Sequence, residues 1–227
     1  MPKILALDTS TDACSVALNL DGEIIEDFRV IPRQHTQQLL PMVQDLMTKA
    51  GIRISDLDAL AFGRGPGSFA GIRIATGATQ GLAYAAELPV LPVSTLEAMA
   101  LAAHRKEQAN MITAALDARM DEIYVAAYDC KSGMPEIVLT EQVCAPQDLV
   151  LQPDNYFAVG SGWRYLDDMS EQVRSSVTLA EDTYYPSAQD MLILAERDFK
   201  QGQAVPAEQA IPVYLRDEIA WKKKDQQ

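Results

Sequence analysis

Two segments of this chain repeat one another, and that repeat narrows the possible fold more than any other feature. Ile4-Leu5-Ala6-Leu7-Asp8-Thr9-Ser10-Thr11-Asp12-Ala13-Cys14-Ser15-Val16-Ala17 lies over Thr113-Ala114-Ala115-Leu116-Asp117-Ala118-Arg119-Met120-Asp121-Glu122-Ile123-Tyr124-Val125-Ala126 at one constant offset. Ala6, Leu7, Asp8, Asp12, Val16 and Ala17 are identical to their partners. Each copy reads as apolar strand, aspartate, tight turn, aspartate, apolar strand. The alternative is two ordinary hairpins that share common residue types. Each copy opens its own strand-and-helix half, which favours a duplicated, two-lobed α/β chain.

The rest of the pattern fits two such halves. Lys3–Thr9, Ala13–Leu20 and Glu23–Ile31 read as strands, the last two joined by the hairpin signal Asp21-Gly22. Thr36 to Ala50 reads as an amphipathic helix with Pro41 near its first turn and Gly51 closing it. A strand at 58–62, a helix at 68–86, a strand at 90–93 and a helix from Ser94 to His104 complete the first half. After the repeat come strands at 136–144 and 155–159, short helices at 146–151 and 163–169, and a helix at 187–200 capped by Ser187. Ala210 to Trp221 reads as a terminal segment crossing back to the first lobe. The expected lobes are 1–108 and 109–211, with 212–227 packing back on the first.

Between them lies Gly63-Arg64-Gly65-Pro66-Gly67-Ser68-Phe69-Ala70-Gly71-Ile72-Arg73. Gly65 and Gly67 make a tight turn, and Ser68 is placed to cap the following helix. A glycine turn at a helix N-terminus looks like a phosphate cradle. The lysine and Ser/Thr pair of a P-loop are missing, however, and the Gly-x-Gly-x-x-Gly spacing does not fit. The helix itself carries two small-residue rows: Gly71, Ala75, Thr79 and Ala83 on one face, Gly77, Gly81 and Ala85 on another. Mid-helix glycine costs ~1 kcal/mol against alanine, and close helix approach compensates. One row suits the chain's own sheet. The other suits a neighbouring helix, either that at 36–50 or one from a partner chain, unless both rows are internal.

Composition excludes more than it selects. The net charge is −13, with 9 Lys and Arg against 12 Asp and Glu in residues 1–110 and 10 against 20 in residues 111–227. Such a surface repels phosphate backbones, so direct nucleic-acid binding is not expected. Lys222-Lys223-Lys224 is the one basic run, read as a solvated terminal cluster. No apolar run approaches the ~20 residues needed to cross a bilayer, and Asp8 comes too early for a secretory signal. Cys14, Cys130 and Cys144 lack metal spacing and read as small buried residues, which fits a cytoplasmic setting.

The repeat and the two-lobed pattern resemble the actin-like, sugar-kinase and Hsp70 ATPase (ASKHA) fold. Within it the chain is similar to the tRNA threonylcarbamoyladenosine biosynthesis family, in its bacterial non-catalytic branch. The resemblance spans nearly the whole chain. It rests on Ile4–Ser10, on Gly65-Pro66-Gly67-Ser68-Phe69-Ala70-Gly71-Ile72-Arg73, on Ala115–Tyr124 and on Pro212-Val213-Tyr214-Leu215-Arg216-Asp217. The family's catalytic member, TsaD, carries a metal-binding His-x-x-x-His in a stretch of the type Val-Asn-His-Leu-Glu-Gly-His. Here the matching stretch is Val93-Ser94-Thr95-Leu96-Glu97-Ala98-Met99, with Thr95 and Met99 where the histidines would stand. A hydroxyl and a thioether do not replace two imidazoles on a hard or borderline metal. Nor do Asp8 and Asp117 lead into the glycines that let phosphates approach in this fold. They read as weak nucleotide candidates and as turn stabilisers.

The resemblance therefore implies no metal, no cofactor, no catalytic residue and no nucleotide site in the isolated chain. It implies a scaffold: a homodimer through N-terminal-lobe helices, with the same surface pairing with a TsaD-like catalytic subunit, joined by a TsaE-like ATPase. tRNA would be met only indirectly, and no membrane is involved. The candidate partner face is His35, Leu39, Val43, Gly71, Ala75, Gly77 and Gly81. His35 could instead be a capping contact. An ATP-dependent phosphotransferase, a metallopeptidase, or a regulatory homodimer unrelated to tRNA remain as alternatives.

Overall fold

The computed structural model describes residues 1–182 and 184–216. Strands β1 (Ile4–Asp8), β2 (Ala13–Leu20) and β3 (Glu23–Val30) are followed by helix α1 (His35–Ala50) and strand β4 (Ala59–Gly65). Helix α2 (Phe69–Ala86), strand β5 (Val90–Ser94) and helix α3 (Thr95–Glu107) close the first half. The second half runs β6 (Met111–Arg119), β7 (Glu122–Asp129), β8 (Glu136–Cys144), β9 (Tyr156–Val159), α4 (Glu171–Ser176), β10 (Val177–Leu179) and α5 (Ala188–Lys200). The stretches expected as short helices near 146–151 and 163–169 are 3-10 turns at Pro146–Asp148 and Ser161–Asp168. Short α4 and three-residue β10 were not expected, because neither is long enough to show a period.

The two halves build the same sheet twice. One sheet has the order β3-β2-β1-β4-β5, the other β8-β7-β6-β9-β10 when read from the matching edge. In each, a three-stranded antiparallel meander continues into two parallel strands. This is the duplicated ASKHA architecture.

Strict alternation along the strands divides the core into layers. Leu5 and Leu7 of β1 face α1 and α2, while Ile4 and Ala6 face α3 and α5. In the second sheet Ile112, Ala114 and Leu116 face α3, while Ala115, Ile123 and Val125 face the 3-10 turns and α4. The order through the molecule is helices, sheet, helices, sheet, helices. Helix α3 is shared, with Ala98 and Leu101 on the first sheet and Leu96, Met99 and Ala103 on the second.

Helix α5 follows the second sheet in sequence yet packs on the first, burying Ala188, Met191, Leu192, Leu194 and Ala195 there. Its start is pinned by one carboxylate: Glu26 Oε1 accepts hydrogen bonds from Ser187 Oγ (2.7 Å), Ser15 Oγ (2.7 Å) and the Gln189 N–H (3.1 Å). A carboxylate at a helix N-terminus satisfies donors that have no partner within the helix. Pro41 stands deeper in α1 than its first turn, on the exposed side, where the lost N–H bond leaves a carbonyl to water. The expected crossing segment is described as far as Arg216; its continuation to Trp221 and the Lys222–Lys224 run lie outside the described residues.

Candidate functional site

The turn after β1, one of the two phosphate-approach turns that the resemblance implies, and the glycine turn after β4, which looks like a phosphate cradle in sequence, fill each other here. The Ser68 N–H donates to the Ser10 carbonyl (2.7 Å), and Thr9 Oγ1 donates to the Gly71 carbonyl (2.6 Å). A Cβ on Gly67 would stand 2.4 Å from the Ser10 carbonyl oxygen, and one on Gly71 2.0 Å from that of Thr9. Both glycines are thus needed for backbone-to-backbone contact between the turns. Ser68 caps α2, accepting from the Gly71 N–H at 3.4 Å. Gly65 has φ +99°, a conformation open to glycine, and precedes the cis bond to Pro66.

Asp8, the last residue of β1, has no solvent exposure. Its Oδ1 accepts from the N–H and Oγ of Ser10 at 3.0 and 2.9 Å, an Asx-type turn bond. Its Oδ2 has no hydrogen-bond partner among the described residues. Strand β4 has room for this carboxyl only because residue 63 is glycine: a Cβ there would lie 1.9 Å from Oδ2. Loss of solvation pushes the Asp8 pKa up to about 7, against the pull of the two Ser10 bonds.

Asp117 does not mirror Asp8. Leu7 pairs with Val16 and Ala115 with Val125, so on this strand the structural equivalent of Leu7 is Ala115, not Leu116. A register irregularity between Asp117 and Arg119 accompanies the difference. The constant sequence offset is therefore one residue out of step on β6, and a one-residue slip turns side chains to the other face. Asp8 points to the α5 side, near Met191. Asp117 points to the opposite side of its sheet. There it accepts from the Arg119 N–H (2.8 Å), lies 3.2 Å from the Arg119 and 3.6 Å from the Arg164 guanidinium, and accepts from Tyr165 OH (3.4 Å). The two carboxyls share no partner, so they do not form an acid–base pair.

Thr95 and Met99, where the catalytic branch has its histidines, are wholly buried, Met99 in the core between α3 and the second sheet. His104 lies at the end of α3, its Nδ1 2.7 Å from the Ala109 carbonyl oxygen. His35 is the first residue of α1, with Nε2 3.2 Å from the Ala13 carbonyl oxygen. No group of three or more His, Cys, Asp or Glu side chains is placed to hold a metal among the described residues. Cys14 and Cys130 are buried, Cys144 is partly buried, and all three are unpaired.

The expected partner face divides cleanly. His35, Leu39 and Val43 turn inward from α1, and Gly71 and Ala75 turn inward from α2, so none offers surface. The inward stripe of α1 that reads as amphipathic is the side that covers the first sheet. Gly77 and Gly81 are exposed, and a Cβ at either would meet nothing within 4 Å. With Ala85 they form a shallow small-residue track on the outside of α2. Exposed Phe69 and Tyr84 stand toward its ends, and the Arg73 guanidinium lies 3.3 Å from the Phe69 ring centre. A 610 Å³ groove continues past Tyr84, lined by Glu87, Leu88, Pro89 and residues 204–208. No helix is long and apolar enough to cross a membrane among the described residues.

Residues 29–224 match the family described as TsaD, tRNA N6-adenosine threonylcarbamoyltransferase. The chain is 45% identical to the tRNA threonylcarbamoyladenosine biosynthesis protein TsaB of Escherichia coli K12, over 97% of both chains. It is 43% identical to the protein of that name from Haemophilus influenzae, over 97% of this chain and 96% of that one. A solved structure of YeaZ from Pseudomonas aeruginosa superposes with a TM-score of 0.89 at 46% identity, covering 95% of this chain and all of that one.

Two expectations follow from this geometry. The raised pKa of Asp8 makes its contribution to stability greatest below the unfolded value near 4. That contribution is lost as pH rises through about 7. The loss is on the order of 4 kcal/mol, and Asp8→Asn should abolish it. Urea midpoints at about pH 5 and about pH 8 would show wild type losing stability relative to the variant, whereas parallel pH profiles would place the carboxyl in water. Separately, Gly71→Ala should cost more than ~2 kcal/mol by forcing the two turns apart, while Gly77→Ala should stabilise by about 1 kcal/mol. Equal effects in urea unfolding would contradict the division of α2 into a packed row and a free row.

Proposed function

We propose a function from one premise: the chain belongs to the TsaB branch of the tRNA threonylcarbamoyladenosine biosynthesis family, within the wider group described by TsaD. It takes part in tRNA threonylcarbamoyladenosine biosynthesis. Its role there is that of a non-catalytic scaffold. It supports a TsaD-like subunit that transfers the threonylcarbamoyl group to the adenosine 3′ of the anticodon, in a complex that a TsaE-like ATPase joins.

The observation that carries this reading is the closure of the cradle. The glycine turn is packed, backbone on backbone, against the turn after β1, and Asp8 is fully buried on the other, α5 side of the sheet, against Gly63 and near Met191. A nucleotide phosphate therefore finds neither an open turn nor an exposed Asp8 carboxylate. Thr95 and Met99 likewise contribute packing rather than imidazole ligands. Asp117 retains exposure but is already engaged by Arg119, Arg164 and Tyr165. Calorimetry of the isolated chain with ATP and Mg²⁺ tests the closure, because stoichiometric binding would return the phosphotransferase alternative.

The partner surface is the outer face of α2. Small residues at Gly77, Gly81 and Ala85 let a second helix approach closely, and Phe69, Arg73 and Tyr84 supply the aromatic and guanidinium anchors common at interface centres. A second copy of the chain and a TsaD-like subunit would compete for it. Gly77→Trp should convert the dimer to monomer in sedimentation and lower TsaD-like binding at least tenfold, with an unchanged circular dichroism spectrum. An undiminished dimer and undiminished complex would remove this face from consideration. Ala75, being buried, is unsuitable for the same test.

A further inference from the structure

The segment from Ala210 to Arg216 is tied to both sheets in turn. The Ala210 carbonyl accepts from Gln80 Nε2 on α2 at 2.8 Å. Three residues on, the Val213 N–H donates to the Arg64 carbonyl at 2.8 Å. The Tyr214 ring lies 6.2 Å from that of Phe69, and the Arg73 guanidinium stands over both, 3.3 Å from Phe69 and 4.8 Å from Tyr214. Arg216 then crosses to the second sheet. It bonds to the Glu122 carboxylate and reaches the carbonyls of Ala118 and Arg119, both at 3.3 Å.

Arg64 joins this strap to a second crossing. Its backbone holds Val213, while its side chain forms a forked pair with Glu141 of β8 at 2.9 and 3.1 Å. Glu141 also accepts from the hydroxyl of Ser94, the N-cap of α3. Both charged groups are largely withdrawn from solvent, with 24% and 15% side-chain exposure. A bidentate guanidinium–carboxylate pair in that setting fixes both distance and angle. Beneath it lies a cavity of about 280 Å³ between the two sheets, lined by Arg64, Ser94, Glu97, Tyr128, Thr140 and Glu141.

The grip of Arg216 falls on an unusual piece of backbone. Arg119, Met120 and Asp121 are consecutive non-glycine residues in the left-handed region, with φ of 63°, 58° and 57°. Such conformations persist only where the surroundings hold them. Two carbonyls around this turn are held by a guanidinium that arrives from the far end of the chain. Elsewhere the two sheets meet through α3, which is joined to α5 on the first-sheet side by the Arg105–Asp190 and Glu97–Arg197 ion pairs but packs on the second sheet through apolar, non-directional contacts. Directional polar bonds between the sheets are concentrated at the strap and the Arg64–Glu141 pair.

We infer that residues 210–216 and the Arg64–Glu141 pair form one latch that sets the angle between the two sheets. Apolar packing between α3 and the second sheet is the hinge, and the latch lies across the mouth of the cavity. Arg64 makes the two crossings a unit, because displacing its backbone from Val213 moves the guanidinium that holds Glu141. Releasing Arg216 from the 119–121 turn frees the second sheet to rotate and opens the cavity. The motif Pro212-Val213-Tyr214-Leu215-Arg216 thereby acquires a mechanical role.

The latch is tested on the full chain, with paired spin labels at Lys49→Cys and Val150→Cys, which are exposed on opposite outer layers, and with Cys144→Ser. The expected wild-type result is one narrow distance distribution. Arg216→Ala should at least double its width and raise the exchange rate of the Val213 amide at least tenfold. Adding Arg64→Ala should add little, because the two crossings act together. Glu122→Gln, a milder change, gives the same readouts should Arg216→Ala fail to fold. An unchanged distance distribution in Glu122→Gln and Arg216→Ala overturns the latch, even if Val213 exchange rises, since the strap would then be tethered without governing the sheets.

Discussion

The contact between the glycine turn and the turn after β1 is the constraint on which the rest of the first half depends. Gly67 and Gly71 bring one backbone against another at distances that no side chain would permit. That approach seats α2 on the sheet and turns its Gly71, Ala75, Thr79 and Ala83 row inward. It also leaves the Gly77 and Gly81 row facing out. A glycine-rich turn at a helix N-terminus is able to serve either an anion or a neighbouring peptide. Here the neighbouring peptide occupies it.

Duplication explains the architecture without making the two halves equal. The sheets share order and strand direction, yet β6 is offset by one residue against β1 relative to the matching faces. Because side chains alternate, that single step separates the destinies of two aspartates that sequence alone places together. One becomes a desolvated carboxyl in the core between sheet and α5. The other becomes the centre of an arginine and tyrosine cluster near the surface. The middle helical layer is shared rather than divided: α3 serves both sheets, and α5 returns to the first.

Much of the site was legible before any coordinates. Ser68 and Ser187 cap their helices, and Asp8 and Asp117 make the short turn bonds that an aspartate two residues ahead of an N–H favours. The two small-residue rows on α2 follow from helical spacing, although spacing cannot say which row is covered. His35, Leu39 and Val43, expected on a partner face, are covered by the chain's own first sheet, because an amphipathic stripe names a buried face without naming its cover. The roles of Glu26 and Arg216 left no local signal. Each depends on residues about a hundred or more positions away.

What the amino-acid order determined by itself was the set of local periods: alternation in the strands, helical stripes, caps, and the doubled strand–aspartate–turn unit. Those properties act over a few residues, so a one-dimensional reading captures them. Tertiary structure alone decided which face met which neighbour. It decided that the cradle would be filled from within, that the repeat would slip by one residue, and that the C-terminal segment would bind both sheets. The physical reason is that exclusion of solvent and backbone contact belong to pairs of segments. Their energies exist only once chain distance has been folded away.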